Sequence, residues 1–179
     1  SESGRYQAVL AGSDNQQVAA LDGTVYEPLT EQQVALIYDI VDTSQDNKVA
    51  ARLDRNVILN VAGRYEDTGV GETPNVVPGL REWHGEGGNL ELAEGSSIIA
   101  VSAEETESAG KIKEYMEPVT GLSFDVLAEE AKAGDIVLKY SPQLAAELGE
   151  EGYYVTIGEQ LVIEAPTETG LLYGGISIA

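Results

Sequence analysis

Apolar residues along this chain recur mostly at every second position, in short runs closed by Gly, Pro, Asn or Asp. That is the pattern of half-buried strands. The clearest run is Val34–Val41, where alternation puts Val34, Leu36, Tyr38 and Ile40 on one face. Thr30 followed by Gln33 resembles a helix capping box. Val, Ile and Tyr dominate the run, however, and favour a strand. Further strands are predicted at Tyr6–Leu10, Gln17–Leu21, Val49–Leu53, Val57–Tyr65, Leu90–Leu92, Ser97–Ala103, Asp135–Tyr140, Tyr153–Ile157, Gln160–Glu164 and Leu171–Ile178. Gly158-Glu159 reads as a tight hairpin in which Gly supplies a positive φ.

Two short helices are predicted. Phe124, Leu127, Ala128 and Ala131 fall at helical spacing, with Ser123 placed as cap and Gly134 as stop. The second has Ser141 as cap, Pro142 as first residue and Gly149 as terminator. Ser102 with Glu105 offers a third start, but Gly110 follows soon after. The longest polar connection, Glu66–Asn89, holds Pro74, Pro78 and six glycines; such a loop is usually functional or mobile. No repeat or linker is evident. The pattern predicts a mainly β chain: one β-sandwich domain over residues 1–179, of jelly-roll topology, with two short helices and long loops.

Composition sharpens this picture. Hydrophobic residues make up 42% of the 179, enough for a core. With no Cys, the chain has no disulfide framework and no thiolate ligand or nucleophile. The net charge is −21: residues 1–81 carry −6 and residues 82–179 carry −15. Such self-repulsion favours solubility in concentrated salt, where cations are expected to neutralise it. It excludes DNA or RNA as a direct partner. No apolar run approaches the ~18 residues of a membrane span, so no membrane insertion is expected. No export segment is recognisable, and the Ser1 start fits either removal of an initiator Met or processing of a precursor. Lys48, Arg52, Arg55 and Arg64 lie close in sequence. They read as charge balancing on strand faces or, alternatively, as a docking patch for an acidic subunit.

Candidate chemistry is sparse. Arg81-Glu82-Trp83-His84-Gly85-Glu86-Gly87-Gly88-Asn89 holds the only Trp and the only His. His84 oriented by Glu82 or Glu86 would be a general base. An anchoring role for the Trp83 ring, or a role for Trp83 and His84 at an interface, accounts for the stretch better. Gly110-Lys111 lacks the first Gly and the Ser or Thr of a phosphate loop. Asp42–Asn47 begins like a calcium loop, but Asn47 replaces the turn Gly and Leu53 sits where the bidentate Glu belongs. A polar turn is the simpler reading. The pairs Glu104-Glu105, Glu129-Glu130 and Glu150-Glu151 could serve glycoside hydrolysis, yet such pairs arise by chance in so acidic a chain. The uncharged end Gly170–Ala179 reads as a core strand, or as one that pairs with a neighbour through Leu171, Leu172 and Tyr173.

No catalytic, cofactor or metal residues are assigned on these grounds, and a non-enzymatic structural subunit is expected. Size, acidity and the expected β-sandwich resemble the smaller major capsid proteins of membrane-containing icosahedral viruses of halophilic archaea. The resemblance implies an upright jelly roll that pairs with a larger jelly-roll subunit in the virion. Alternatives are a virion decoration protein, a surface-fibre subunit or, from another class, a secreted calcium- or carbohydrate-binding module. The partners expected are other structural subunits, in a homo- or hetero-oligomer located in the virion, or else outside the cell or at its surface.

Overall fold

Alternation in the N-terminal half produces a three-stranded antiparallel meander in the computed structural model, which describes residues 4–77 and 79–179. The strands are β1 (Tyr6–Ser13), β2 (Gln32–Asp42) and β3 (Lys48–Val61), in that spatial order. The two strands predicted at Val49–Leu53 and Val57–Tyr65 are one long strand, and a bulge opposite Leu36 and Ile37 absorbs Arg55 and Asn56. Arg55 sits there at φ 56°, which is strained for a residue with a Cβ. Predicted strand Gln17–Leu21 is instead a turn, with one isolated bridge between Ala19 and Val25. Its Val18 and Ala19 close a small core with Val34 and Leu36, flanked by Leu10, Tyr38, Leu59 and Val61.

The turn between β2 and β3 has its own logic. Asp42 caps a single 3₁₀ turn, Thr43–Gln45, by accepting from the Ser44 amide at 3.0 Å. Arg5 donates twice to the other carboxylate oxygen, at 3.0 and 2.6 Å. Asp46 and Asn47 then reverse the chain at φ 53° and 56°, a region that Asn and Asp tolerate.

The chain divides into two compact units. The first takes residues up to Thr73 and Arg81–Glu86; the second takes Pro74–Leu80 and Gly87–Ala179. Pro78, counted in the long loop, and Ser1, read as the mark either of initiator-Met removal or of precursor processing, lie outside the described residues.

The second unit is a mixed sheet under a helical layer. Its strands are β4 (Ser97–Ile99), β5 (Asp125–Leu127), β6 (Ile136–Tyr140), β7 (Tyr154–Ile157) and β8 (Leu161–Ala165), ordered β5-β4-β6-β8-β7. Only β7 and β8 pair antiparallel; β4 runs parallel to β5 and β6, and β6 runs parallel to β8. The strand-rich character expected from the sequence is present. The pairing is not that of a jelly roll, which is built from antiparallel strands. The β7–β8 hairpin forms where predicted, but Gly158 is not among the glycines with positive φ.

Helices α1 (Ala103–Thr120), α2 (Ala145–Leu148) and α3 (Glu168–Ser177) complete the unit. Ser102 accepts from the Glu105 amide, and the Glu105 carboxylate reaches back to the Ser102 amide, so α1 starts on a full capping box. Gly110 does not stop it. Gly121 does, at φ 72°. The helix predicted from Phe124 to Ala131 is absent. Phe124 is buried, and the three residues after it form β5 beside β4. The strand predicted at Leu171–Ile178 is α3, capped by Thr167. Helices α1 and α3 lie on the same face of the sheet. Ala109, Ile112, Met116 and Leu171 meet Ile98, Ile136, Leu138, Leu161 and Ile163 in one core.

Candidate functional site

The chain leaves β3 at Val61 and turns back along the segment that precedes β2. Arg64 and Tyr65 donate backbone hydrogen bonds to Pro28 and Leu29 at 2.9 and 2.8 Å. The approach is so close that a Cβ on Gly63 would lie 2.3 Å from the Thr30 carbonyl carbon; only glycine fits. The Glu82 carboxylate accepts from the Leu29 amide at 2.9 Å, tying the Trp–His loop to the same place. This brings His84 onto Tyr65, with the rings parallel within 8° and their centroids 4.5 Å apart. The His84 side chain is only 9% exposed, with Nε2 3.4 Å from Glu86 Oε1. Tyr65 remains 43% exposed.

Beside this stack lies an open concavity of about 540 Å³. Thr30, Glu31, Arg64, Tyr65, Glu66 and Asp67 give it polar groups, and Ala62 and Gly63 complete its wall. Arg64 Nε is 3.5 Å from Glu27. The surface therefore combines one fixed aromatic ring with carboxylate acceptors, a hydroxyl and one partly neutralised guanidinium. Such a mixture can offer ring stacking and hydrogen bonds.

The sequence singled out Trp83 and His84 here but not Tyr65, Glu31, Glu66 or Asp67. Their only sequence signal was position: Tyr65 ends a predicted strand, Glu66 and Asp67 open the long loop, and Glu31 lies just before the strand predicted at Val34. Trp83 is partly buried, and its ring lies 3.6 Å from where a Gly71 Cβ would stand. Thr68 donates to the Gly85 carbonyl at 2.8 Å, which fixes the same loop. The remaining interface candidates belong to α3: Leu171 is fully buried in the core, Leu172 is partly buried and Tyr173 is 41% exposed.

The other sequence candidates have structural partners. Asp42 receives Arg5, Ser44 and Gln45, and its carboxyl is held well below the usual range, chiefly by the Arg5 hydrogen bond. Among the described residues no group of three or more Asp, Glu or His is poised around a cation. In the basic stretch, Arg52 grips Asp39 at 2.7 and 2.9 Å, and Arg55 lies 3.7 Å from Asp14. Glu105 accepts from three amides: Val101 at 2.8 Å, Ser102 at 2.9 Å and, across the unit, Tyr140 at 2.8 Å. Burial disfavours its charge and is the largest single effect, but together the hydrogen bonds outweigh it and lower its pKa. Buried Asp135 likewise takes the Ser97 and Lys132 amides. No described helix is long and apolar enough to cross a membrane.

A mixed sheet with two helices on one face is the class that the second unit defines. Residues 73–179 match the family model of glycosyl hydrolase family 20, domain 2. The match spans more than half of the 179 residues, and the chain belongs to that family. A search of curated proteins finds no match. The family overturns the reading as a viral capsid subunit, and with it the expectations of a non-enzymatic class and a virion location. Acidity and strand content drove that reading. Both are properties of composition, and neither is specific to a fold or an assembly.

Proposed function

We propose that this chain works as a glycosidase-associated domain, within a protein that hydrolyses glycosidic bonds. The observation that carries the reading is the family match over residues 73–179, which takes in the whole of the second unit. The helical layer supplies a surface suited to such an association. Tyr115 and Val119, one turn apart on α1, are 46% and 58% exposed, and Tyr173 on neighbouring α3 is 41% exposed. Exposed aromatic and aliphatic side chains of this kind anchor contacts with another protein surface. In this reading Tyr173 is a docking residue, while Leu171 beneath it holds the helix in place.

The test is to assay the native polypeptide that carries residues 1–179 and its Tyr115→Glu/Tyr173→Glu variant on nitrophenyl glycosides. Both side chains are exposed, so the variant is expected to keep its fold by circular dichroism. Its hydrolysis should fall at least about tenfold, the equivalent of ~1.4 kcal/mol of lost contact. Unchanged hydrolysis in the variant would remove the helical face from the account.

A further inference from the structure

We propose that the concavity beside the Tyr65–His84 stack is a second carbohydrate contact, which holds a neutral sugar ring on the face of Tyr65. The inference rests on the glycosidase reading for its ligand class and on the first unit for its geometry. The Thr30–Asp67 segments that line it lie outside the residues matched to the family.

Three features of this concavity converge. Tyr65 presents 43% of its surface although its ring is already stacked on His84. A hydrophobic ring left open beside a concavity is suited to the C–H face of a sugar, whose partial positive charge meets the negative face of the π system. The ring is also pre-positioned. The Tyr65 amide is bonded to Leu29, Gly63 is wedged against Thr30, and Glu82 holds Leu29 from the His84 loop. Little freedom remains to be lost on binding, which favours affinity. Finally, a volume of about 540 Å³ is of the size that holds a small ligand. Its Glu31, Glu66, Asp67 and Thr30 offer acceptors to vicinal hydroxyls. Charge narrows the class. Three carboxylates face one guanidinium, which already lies 3.5 Å from Glu27, so anionic sugars are repelled.

The site carries its own reporters, because His84 and Trp83 are the only His and Trp in the chain. The experiment is a titration of the 179-residue chain with neutral tetrasaccharides of glucose, xylose, mannose and N-acetylglucosamine. The His84 ring resonances and Trp83 emission are followed. At least one saccharide should shift the His84 signals saturably. Tyr65→Ala should weaken that binding at least about tenfold, while Tyr65→Phe should retain it. Tetragalacturonate should not bind. The amide spectrum of each variant checks its fold. Absence of any saturable shift up to about 10 mM, a concentration matching only ~3 kcal/mol of binding, overturns the proposal. So does equal binding by Tyr65→Ala, or a shift produced by calcium chloride and by no saccharide. Hydrolysis of nitrophenyl glycosides by the native polypeptide is read separately. Lost hydrolysis with intact binding counts against the glycosidase reading alone, and intact hydrolysis without binding counts against this contact alone.

Discussion

The two sheets of this protein treat their side chains differently. In β8 every second residue is buried (Leu161, Ile163 and Ala165), and in β6 Ile136 and Leu138 are, because α1 and α3 cover that face. In β3 none of the fourteen residues is buried, and Val49, Val57 and Ile58 stand 38–50% exposed. Both sheets carry β-branched residues in alternation. What separates these strands is a second layer together with their place in the sheet: β6 and β8 are internal under helices, whereas β3 is an edge strand, and central β2 beside it buries Val34, Ala35, Leu36 and Val41. A sheet face covered by helices turns alternation into a core, whereas an uncovered one leaves the same side chains in water. In the first unit Val18 and Ala19 form a small core with Val34 and Leu36, with Leu10, Tyr38, Leu59 and Val61 packed against it.

Substitutions of equal chemistry break the comparison most sharply. Leu171→Ala removes a side chain with no exposed surface, and is expected to destabilise the second unit by about 2–5 kcal/mol. Ile58→Ala in β3 removes one that is 50% exposed, and should change stability by less than ~1 kcal/mol. Hydrogen exchange of amides in β6 and β3 measures the two effects separately. Equal losses would mean that the exposed face of β3 is covered in solution.

A smaller effect separates two helical glycines. A Cβ on Gly175 would lie 2.5 Å from Ile112 Cγ1, so Gly175→Ala should push α3 off α1 at a cost of about 1–3 kcal/mol. Nothing stands within 4 Å of a Cβ on Gly110, and Gly110→Ala should stabilise α1 by up to ~1 kcal/mol. Thermal denaturation should therefore move in opposite directions for the two variants.

Acid should produce the smallest change, and it acts on both units. Asp42 and Glu105 have folded pKa values below their ordinary 3.8 and 4.5. Each therefore contributes stability at pH above those ordinary values, and the contribution is lost as pH falls through the lower folded values. Denaturant midpoints should be flat near pH 6 and fall below about pH 4.5. Glu105→Gln should reduce the fall in the second unit, and Asp42→Asn should do so in the first. A midpoint that rises on acidification would contradict both assignments.

How much of this was legible in the sequence depended on whether the partners were local. The alternation of Val34, Leu36, Tyr38 and Ile40 gave β2 its strand, and the Ser102–Glu105 box marked the start of α1. The run after Gly170 looked like a strand because it is apolar and uncharged to its end. It is helical because its glycines admit neighbours from elsewhere: Gly174 meets Ile163, and Gly175 meets Ile112. The helical spacing of Phe124, Leu127 and Ala131 misled in the opposite sense, since pairing with β4 decides that segment. At the concavity, Trp83 and His84 were conspicuous as single occurrences. Tyr65, nineteen residues earlier, was not, because the two segments meet through contacts between residues far apart in sequence, the Leu29 amide with Glu82 and Thr68 with the Gly85 carbonyl. Function was hidden for a related reason. The net charge of −21 describes how the surface is solvated and carries no information about the arrangement of strands under α1 and α3.

The most direct test of the central claim is whether the native polypeptide that carries this chain cleaves glycosidic bonds. Release of nitrophenol should be measured across α- and β-linked nitrophenyl hexosides, pentosides and N-acetylhexosaminides. The account predicts saturable hydrolysis of at least one of them, lost on heating through the unfolding transition of the second unit. No hydrolysis of any of them by folded native protein would contradict it.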